Sequence, residues 1–415
     1  MRLLLRVGLL IGLISALASP AVAKRHGKSH HAATPSSHKP SEAEIEAATR
    51  LQVFLDRANF SPGKIDGHYN DFTLKAMALY RQSRGEATAS PQDYGTTTQQ
   101  DQGTEEAKSE GRKSDARDPR PEVTEKKGAK QKQSSAPPKP DTAPDLSGID
   151  LASVNPVFIQ YTVTDADTQN IAPVPRGESA AVAAAKAKLP ALPYRDVGQE
   201  IAEKFHCDEK FLGELNPGKN GATLKPGDQL RVPNVEPFEL EAVKNLKPGS
   251  ELRADAANEM PDEAETAPSE TSPSPAGDAT SSVRIKVDVK TNMLGVFEGD
   301  KIVAAYPVTV GSGEIPTPIG EWKVRGVAKF PTFRYDEKML KSGERGKDFY
   351  ILKPGPNNPV GVIWIALNKR GIGIHGTDEP DMIGKVASHG CIRLANWDIV
   401  RLAERVKAGV PVEVK

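Results

Sequence analysis

Apolar and polar positions recur with several different periods along the chain, and the changes of period mark its parts. Near the start, Arg2 and Arg6 precede an apolar run from Val7 to Ala18 that ends at Ser19-Pro20-Ala21-Val22-Ala23. That order is a secretory leader, so residues 1–23 are expected to be cleaved after Ala23 and the mature protein exported to the periplasm or wall. The run falls short of the roughly 20 residues of a membrane-crossing helix, and no stable membrane insertion is expected after cleavage. Over residues 41–85, Ala47, Leu51, Phe54, Leu55 and Ala58 recur at helical spacing behind a Ser41 cap with Glu44 three residues on. A turn from Ser61 to Gly67 and a second helical stretch, Leu74 to Arg81, follow. Residues 151–235 open on a strand, Phe158 to Val163. They continue through a helix with Val197, Ile201, Ala202 and Phe205 on one face, and close on Leu224-Lys225-Pro226-Gly227-Asp228-Gln229-Leu230-Arg231-Val232-Pro233.

From 284 to 415 the texture is short β-runs. Ile285 to Val289, Leu294 to Phe297 and Ile302 to Val310 come first, with a hairpin turn at Glu298 to Lys301. Further strands are expected at Gly320 to Val324, Val362 to Leu367, Gly371 to His375 and Val410 to Val414. One helix closes the chain, with Asn396 as its cap, Ile399, Leu402, Ala403 and Val406 on one face, and Gly409 at its end.

The stretches between are polar. Residues 24–40 read as a solvated, disordered arm whose His26, His30, His31 and His38 are the only hint of metal binding there; 86–150 and 236–283 read as disordered linkers. With 35 Gly, 34 Pro and only 5% aromatic residues, the folded part is expected to be well below 415 residues. The expected fold class is therefore multidomain: a small helical domain, a small α+β module and a mostly-β sandwich-like domain with one C-terminal helix. The last is expected to fold alone. Balanced charge, 55 basic against 55 acidic residues, gives no field for nucleic acid.

Two cysteines, Cys207 and Cys391, fall in different units, so a bridge is not expected; Cys207 reads as a small core residue and Cys391 as a functional thiol. Around Cys391 the sequence is Ser388-His389-Gly390-Cys391-Ile392-Arg393-Leu394, and upstream stands Gly371-Ile372-Gly373-Ile374-His375-Gly376-Thr377. A cysteine nucleophile needs a base that raises its thiolate fraction and backbone N–H donors for an oxyanion; a thiol, two imidazoles and a preceding glycine supply these parts. Two blander readings stand beside this one. His375, His389 and Cys391 are also zinc-ligand types, with Asp378 or Asp381 as a fourth, and a cysteine can simply fill a β-core.

The ordered pair of segments, with Thr317-Pro318-Ile319-Gly320 and Gly355-Pro356 to Gly361, resembles the L,D-transpeptidase catalytic domain, also called YkuD, over 284–415. The resemblance implies a thioacyl-enzyme on Cys391 with His375 as general base, and no metal or cofactor. Gly390, His389, Ser388, Gly376 and Thr377 would shape the site, with the Gly390 and Cys391 amides near the oxyanion, and Arg393 would hold the site together or meet a substrate carboxylate. It implies peptidoglycan stem peptides as substrates, release of D-Ala, a 3→3 cross-link and carbapenem sensitivity. Water or a protein amine as acceptor, giving an L,D-carboxypeptidase or a stem-to-protein transferase, are the alternatives within the class. Outside it stands a non-catalytic wall-binding scaffold. Leu51-Gln52, Ile65-Asp66-Gly67-His68-Tyr69 and Thr73 to Ala76 resemble a small three-helix peptidoglycan-binding domain. Leu215-Asn216-Pro217 and the Leu224 to Pro233 ending resemble the glycan-binding LysM module, with an Ala/Pro-rich insertion at about 169–193.

Overall fold

The computed structural model describes residues 40–86, 143–177, 179–258, 283–342 and 344–415. The leader, nearly all of the His-bearing arm, and residues 87–142 and 259–282 of the two linkers lie outside the described residues.

Helix α1 (Glu42–Arg57) begins where the Ser41 side chain accepts from the Glu44 amide and the Glu44 carboxylate accepts from the Ser41 amide, a reciprocal cap that satisfies two orphan donors. It pairs with α2 (Asp71–Ser83), capped by Asn70. Gln52, fully buried, ties the connecting turn to α1 through Asp66, Gly67 and Thr73. Two helices, not three, form in this stretch.

Strand β1 (Phe158–Thr162) pairs antiparallel with β2 (Gln229–Pro233). Between them come α3 (Ala180–Lys186), α4 (Val197–Lys204) and α5 (Glu209–Leu215). Helix α4 departs from the one-faced helix read from its apolar spacing, because all of its residues are buried. Val197, Ile201 and Ala202 enter a core with Phe205 and Cys207 that also takes in Val53 and Ile65 from the α1–α2 stretch. The polar side chains of α4 are buried too, where polar groups need partners, and three of the four find them: Gln199 bonds Asn357, Glu203 bonds Asn396 and Lys204 pairs with Asp167.

The C-terminal part is a curled sheet. Its strands are β4 (Val283–Asp288), β5 (Met293–Glu298), β6 (Lys301–Pro307), β7 (Gly320–Lys329), β10 (Ile363–Leu367), β11 (Gly373–His375), β12 (Ile392–Arg393) and β13 (Pro411–Val414). They run in the order β12-β11-β10-β7-β13-β4-β5-β6. Glu298 pairs with Lys301 around Gly299, whose φ of 60° lets the hairpin close in two residues. A second small sheet, β8 (Phe333–Tyr335) with β9 (Tyr350–Leu352), carries the extra short helix α7 (Glu337–Ser342), which the periodicity did not reveal. Helix α8 (Asn396–Ala403) packs under β10. Its cap is Ala395, not Asn396, and it stops before Gly409; Asn396 is the first helical residue and its side chain serves elsewhere.

Two expectations are corrected. Residues 236–258 are not a linker: α6 (Leu240–Asn245) and its flanks place Phe238, Val243 and Leu246 in the main sheet's core, and β3 (Glu251–Leu252) pairs with β7. Spaced apolar residues among Pro, Glu and Lys were averaged away by composition. The catalytic unit is also not a separately hung domain, since Ser41–Lys415 forms one compact unit. Leu51, Leu55 and Phe60 share a core with Met293, Ile302 and Ala305. Asn59 to Ser61 bond both ways to Ala305, covering the outer strand β6 (Ser61 N–H to Ala305 O, 2.8 Å; Ala305 N–H to Asn59 O, 2.9 Å).

Where the units meet lies a buried charge cluster. Arg401 makes a two-pronged contact with Asp56 at 2.9 and 3.1 Å, and His206 Nδ1 lies 2.9 Å from the same carboxylate. Burial by itself would raise the Asp56 pKa, but Arg401 and His206 hold it well below the usual carboxylate range. Ser61 donates to Asp398 at 2.8 Å, and the His206 ring stacks on Trp397.

Candidate active site

In the parallel β11–β12 register Ile374 lies opposite Ile392 and His375 opposite Arg393. Side chains alternate along a strand, so the two isoleucines enter the core while His375 and Arg393 share the other face. Cys391, two residues before Arg393, falls on that face and packs against Trp364 and its neighbours. The structure thus brings His375, Cys391 and Arg393 to one patch at the end of the sheet. Among the described residues no group of three or more His, Cys, Asp and Glu is arranged to hold a metal ion.

His375 is buried and stacked on Trp364, ring centroids 5.3 Å apart and planes within 17°. The glycines beside it explain themselves here. A Cβ on Gly373 would meet the Trp364 ring at 2.6 Å, and one on Gly376 would meet the Asn396 amide oxygen at 2.2 Å. Nδ1 of His375 lies 2.6 Å from the Gly376 carbonyl. A carbonyl can only accept, so Nδ1 carries the proton and Nε2 keeps its lone pair. Burial, helped by the nearby Arg393 charge and opposed by the Gly376 carbonyl, lowers the imidazole pKa to about 3, so the ring is neutral at neutral pH.

Cys391 is half-buried, and its thiol donates to the Gly371 carbonyl at 3.6 Å. Burial pushes the thiol pKa up, while the Gly373 amide and Arg393 pull it back. The sequence leads one to expect a thiolate raised by His375 near neutrality; the resting pair is instead a neutral thiol and a neutral imidazole. Cys207 is more deeply buried, and burial pushes its thiol well above the usual range, with Asp208 adding to the rise and Lys64 opposing it. Alkylation by a limiting dose of iodoacetamide is therefore expected at Cys391 first, with a rate still climbing from about pH 7 to about pH 9. Peptide mass spectrometry across pH checks this, and a plateau already near about pH 6 would show a preformed thiolate instead.

The other predicted residues have different surroundings. Ser388 is buried; its hydroxyl donates to the Cys391 carbonyl, its amide to Val310 O at 2.8 Å, and its own carbonyl accepts from Ser312 at 3.1 Å, so it closes the turn that presents the thiol. Gly390 holds φ at +100°, a conformation L side chains rarely adopt. His389 is exposed. Thr377 is buried, and its hydroxyl accepts from the Glu379 amide, shaping the turn after His375. The Arg393 backbone bonds both ways to Thr309, which ties the site to the β6–β7 connection. Trp364 and Asn396 were missed: nothing in β10's apolar run marks Trp364, and Asn396 reads as an ordinary cap. Gly373, at the position before Ile374, was the available hint that a ring lies across the strand.

No helix among the described residues is long and apolar enough to cross a membrane. Residues 282–414 match the family model of the L,D-transpeptidase catalytic domain, YkuD. The putative L,D-transpeptidase YkuD of Bacillus licheniformis is 26% identical over 216 residues, 52% of this chain and 92% of that protein. The putative L,D-transpeptidase YqjB of Bacillus subtilis is 33% identical over 131 residues, 30% of this chain and 67% of that protein. Among solved structures, LD transpeptidase LdtMt1 in complex with imipenem is similar at 20% identity and a TM-score of 0.27, over 32% of this chain and 59% of that one. Through its C-terminal domain, the chain belongs to the L,D-transpeptidase family.

Proposed function

We propose that the protein is a peptidoglycan L,D-transpeptidase with Cys391 as nucleophile and His375 as general base. The observation that carries this reading is the fixed tautomer: Nδ1–H is committed to the Gly376 carbonyl, which leaves Nε2 as a base on the face that bears Cys391. As Sγ attacks the carbonyl of the third stem residue, the thiol proton passes to Nε2. The amides of Gly390 and Cys391, turned by the positive φ of Gly390, receive the oxyanion. The C–N bond to D-Ala breaks, and the imidazolium proton goes to the leaving amine. A thioester remains. An acceptor amine then gives its proton to His375, takes the acyl group and frees the thiol, forming a 3→3 cross-link. Arg393, whose charge reaches both His375 and Cys391, favours a substrate carboxylate nearby. His389 and Thr377 act only through the shape of their turns. The steps balance without a cofactor.

The earlier units fit a wall-bound enzyme. In the β1–α4–α5–β2 unit a groove of about 230 Å³, lined by Asp196, Asn216, Asn220, Ala222 and Leu224, is the place we assign to glycan, and the α1–α2 pair is assigned to the wall as well. Export by the 1–23 leader implies that sequencing of the mature protein starts at Lys24.

The test is the full chain with disaccharide-tetrapeptide stems, followed by mass spectrometry. D-Ala release with dimers is expected; tripeptide alone would make it a carboxypeptidase, and a protein-linked stem would make it a stem-to-protein transferase. Strained carbapenem carbonyls should acylate the same sulfur. Cys391→Ala should lose every one of these products, and a Cys391→Ala protein that still released D-Ala or kept full biological activity would overturn the thiol chemistry in favour of another nucleophile or a scaffold.

A further inference from the structure

The turn that follows His375, Gly376-Thr377-Asp378, carries the carbonyl that fixes the imidazole, and residues outside the sheet domain reach it on two sides, one through Asn396 and one directly. On one side stands the Asn396 side chain. Its Oδ1 accepts from the Val362 amide at 3.2 Å and abuts Gly361 and Gly376, both of which must be glycine for it to fit. Its Nδ2 donates to Glu203 Oε1 at 2.9 Å and to Pro356 O at 3.4 Å. Glu203 belongs to α4. On the other side, Asp378 accepts from Lys186 Nζ at 2.7 Å, and the same ammonium donates to Asn357 O at 3.2 Å. Lys186 closes α3, in the Ala/Pro-rich insertion between β1 and α4, and is only 2% exposed.

Burying a lysine costs several kcal/mol unless its charge is paired in good geometry, and a buried carboxyl needs a hydrogen-bond partner. Lys186 is paired with the turn itself through Asp378, and Glu203 reaches the same turn through Asn396, whose Oδ1 abuts Gly376; both act across a module boundary. Burial also raises the Glu203 pKa to about 8, so near neutrality its carboxyl is mostly protonated and an amide is a close substitute.

We infer that Lys186 and Glu203, one from each of two helices outside the catalytic domain, are positioning residues for His375 that hold the Gly376 carbonyl against Nδ1. The inference rests on the reading of His375 as the base. Neither side chain contacts the sulfur; each acts through the turn.

The test uses the full chain with Lys186→Met, Glu203→Leu and Glu203→Gln, and reads two things: the second-order rate of imipenem acylation by intact-protein mass spectrometry, and the His375 tautomer by nitrogen-15 NMR. A shift of about 1 Å in a catalytic group costs up to about 100-fold, so Lys186→Met and Glu203→Leu are expected to slow acylation by about tenfold or more. They should also let the Nε2–H tautomer appear. Glu203→Gln, which keeps an acceptor for Asn396, should stay close to wild type. Should an apolar variant unfold, Asp378→Asn replaces Lys186→Met, and the Gln–wild-type comparison of rate and tautomer stands for Glu203. Unchanged rate and tautomer in the folded Lys186, Asp378 or Glu203→Leu variants, or a Glu203→Gln protein as slow as Glu203→Leu, overturns the inference. A His375→Ala control separates the two ideas. If that variant acylates at the wild-type rate, the base assignment fails; if it is inert while the positioning variants behave as wild type, only the positioning role fails.

Discussion

A fragment from Arg284 to Lys415 is expected to precipitate or to unfold at far lower denaturant than the chain from Ser41. Phe238, Val243 and Leu246 fill the main core from the preceding segment, and β3 extends the sheet beside β7. Full burial of a side chain of this kind stabilises by roughly 1.5–3 kcal/mol, so removing three takes away about 5 kcal/mol or more. Whole domains are stable by only about 5–15 kcal/mol. The cut also bares the β6 edge and the buried polar face of α8. Comparing denaturant midpoints of fragments beginning at Ser41, Glu236 and Arg284 measures this, with the order of stability expected to follow length. A soluble Arg284 fragment, unfolding cooperatively at the midpoint of the longer chain, would mean that these contacts are ornamental.

Asp56→Ala is expected to destabilise the chain by about 3–5 kcal/mol, the usual cost of leaving a buried partner uncompensated. Arg401 is the partner left behind, largely buried and otherwise only 3.9 Å from Asp398. Because the Asp56 pKa is depressed in the fold, its contribution is fully present above the ordinary carboxylate range and is lost as pH falls through the folded value. Chemical denaturation at neutral pH and in acid would show the difference between wild type and variant shrinking in acid. An undiminished gap there would place the stabilisation elsewhere.

The strands of the C-terminal domain were legible because alternation and turn residues act locally: Ile285, Val287, Leu294 and Val296 are core residues as their spacing implies. The pairing of His375 with Cys391 on one face could be anticipated only through the resemblance, since the β11–β12 register joins residues far apart in sequence. What sequence could not carry was docking. Glu203, Lys186, His206 and Ser61 are polar residues whose burial depends on surfaces hundreds of residues away, and any local reading sends such side chains to solvent. The same limit hid the neutral state of the thiol, because burial, not the identity of the neighbouring residues, dominates its proton affinity.

The three residues that open α8 are held by two earlier segments: Asn396 by Glu203 and Trp397 by His206, at and just past the end of α4, and Asp398 by Ser61 after α1. This seam sets limits on shuffling. A chimera that grafts a relative's catalytic domain after residue 283 would inherit a helix cut for other neighbours, and it would leave an acid, an imidazole and a hydroxyl facing strangers. The grafts expected to work are those in which Ser61, Glu203 and His206 are re-matched together with the new helix, so that the heritable unit is the seam and not the domain.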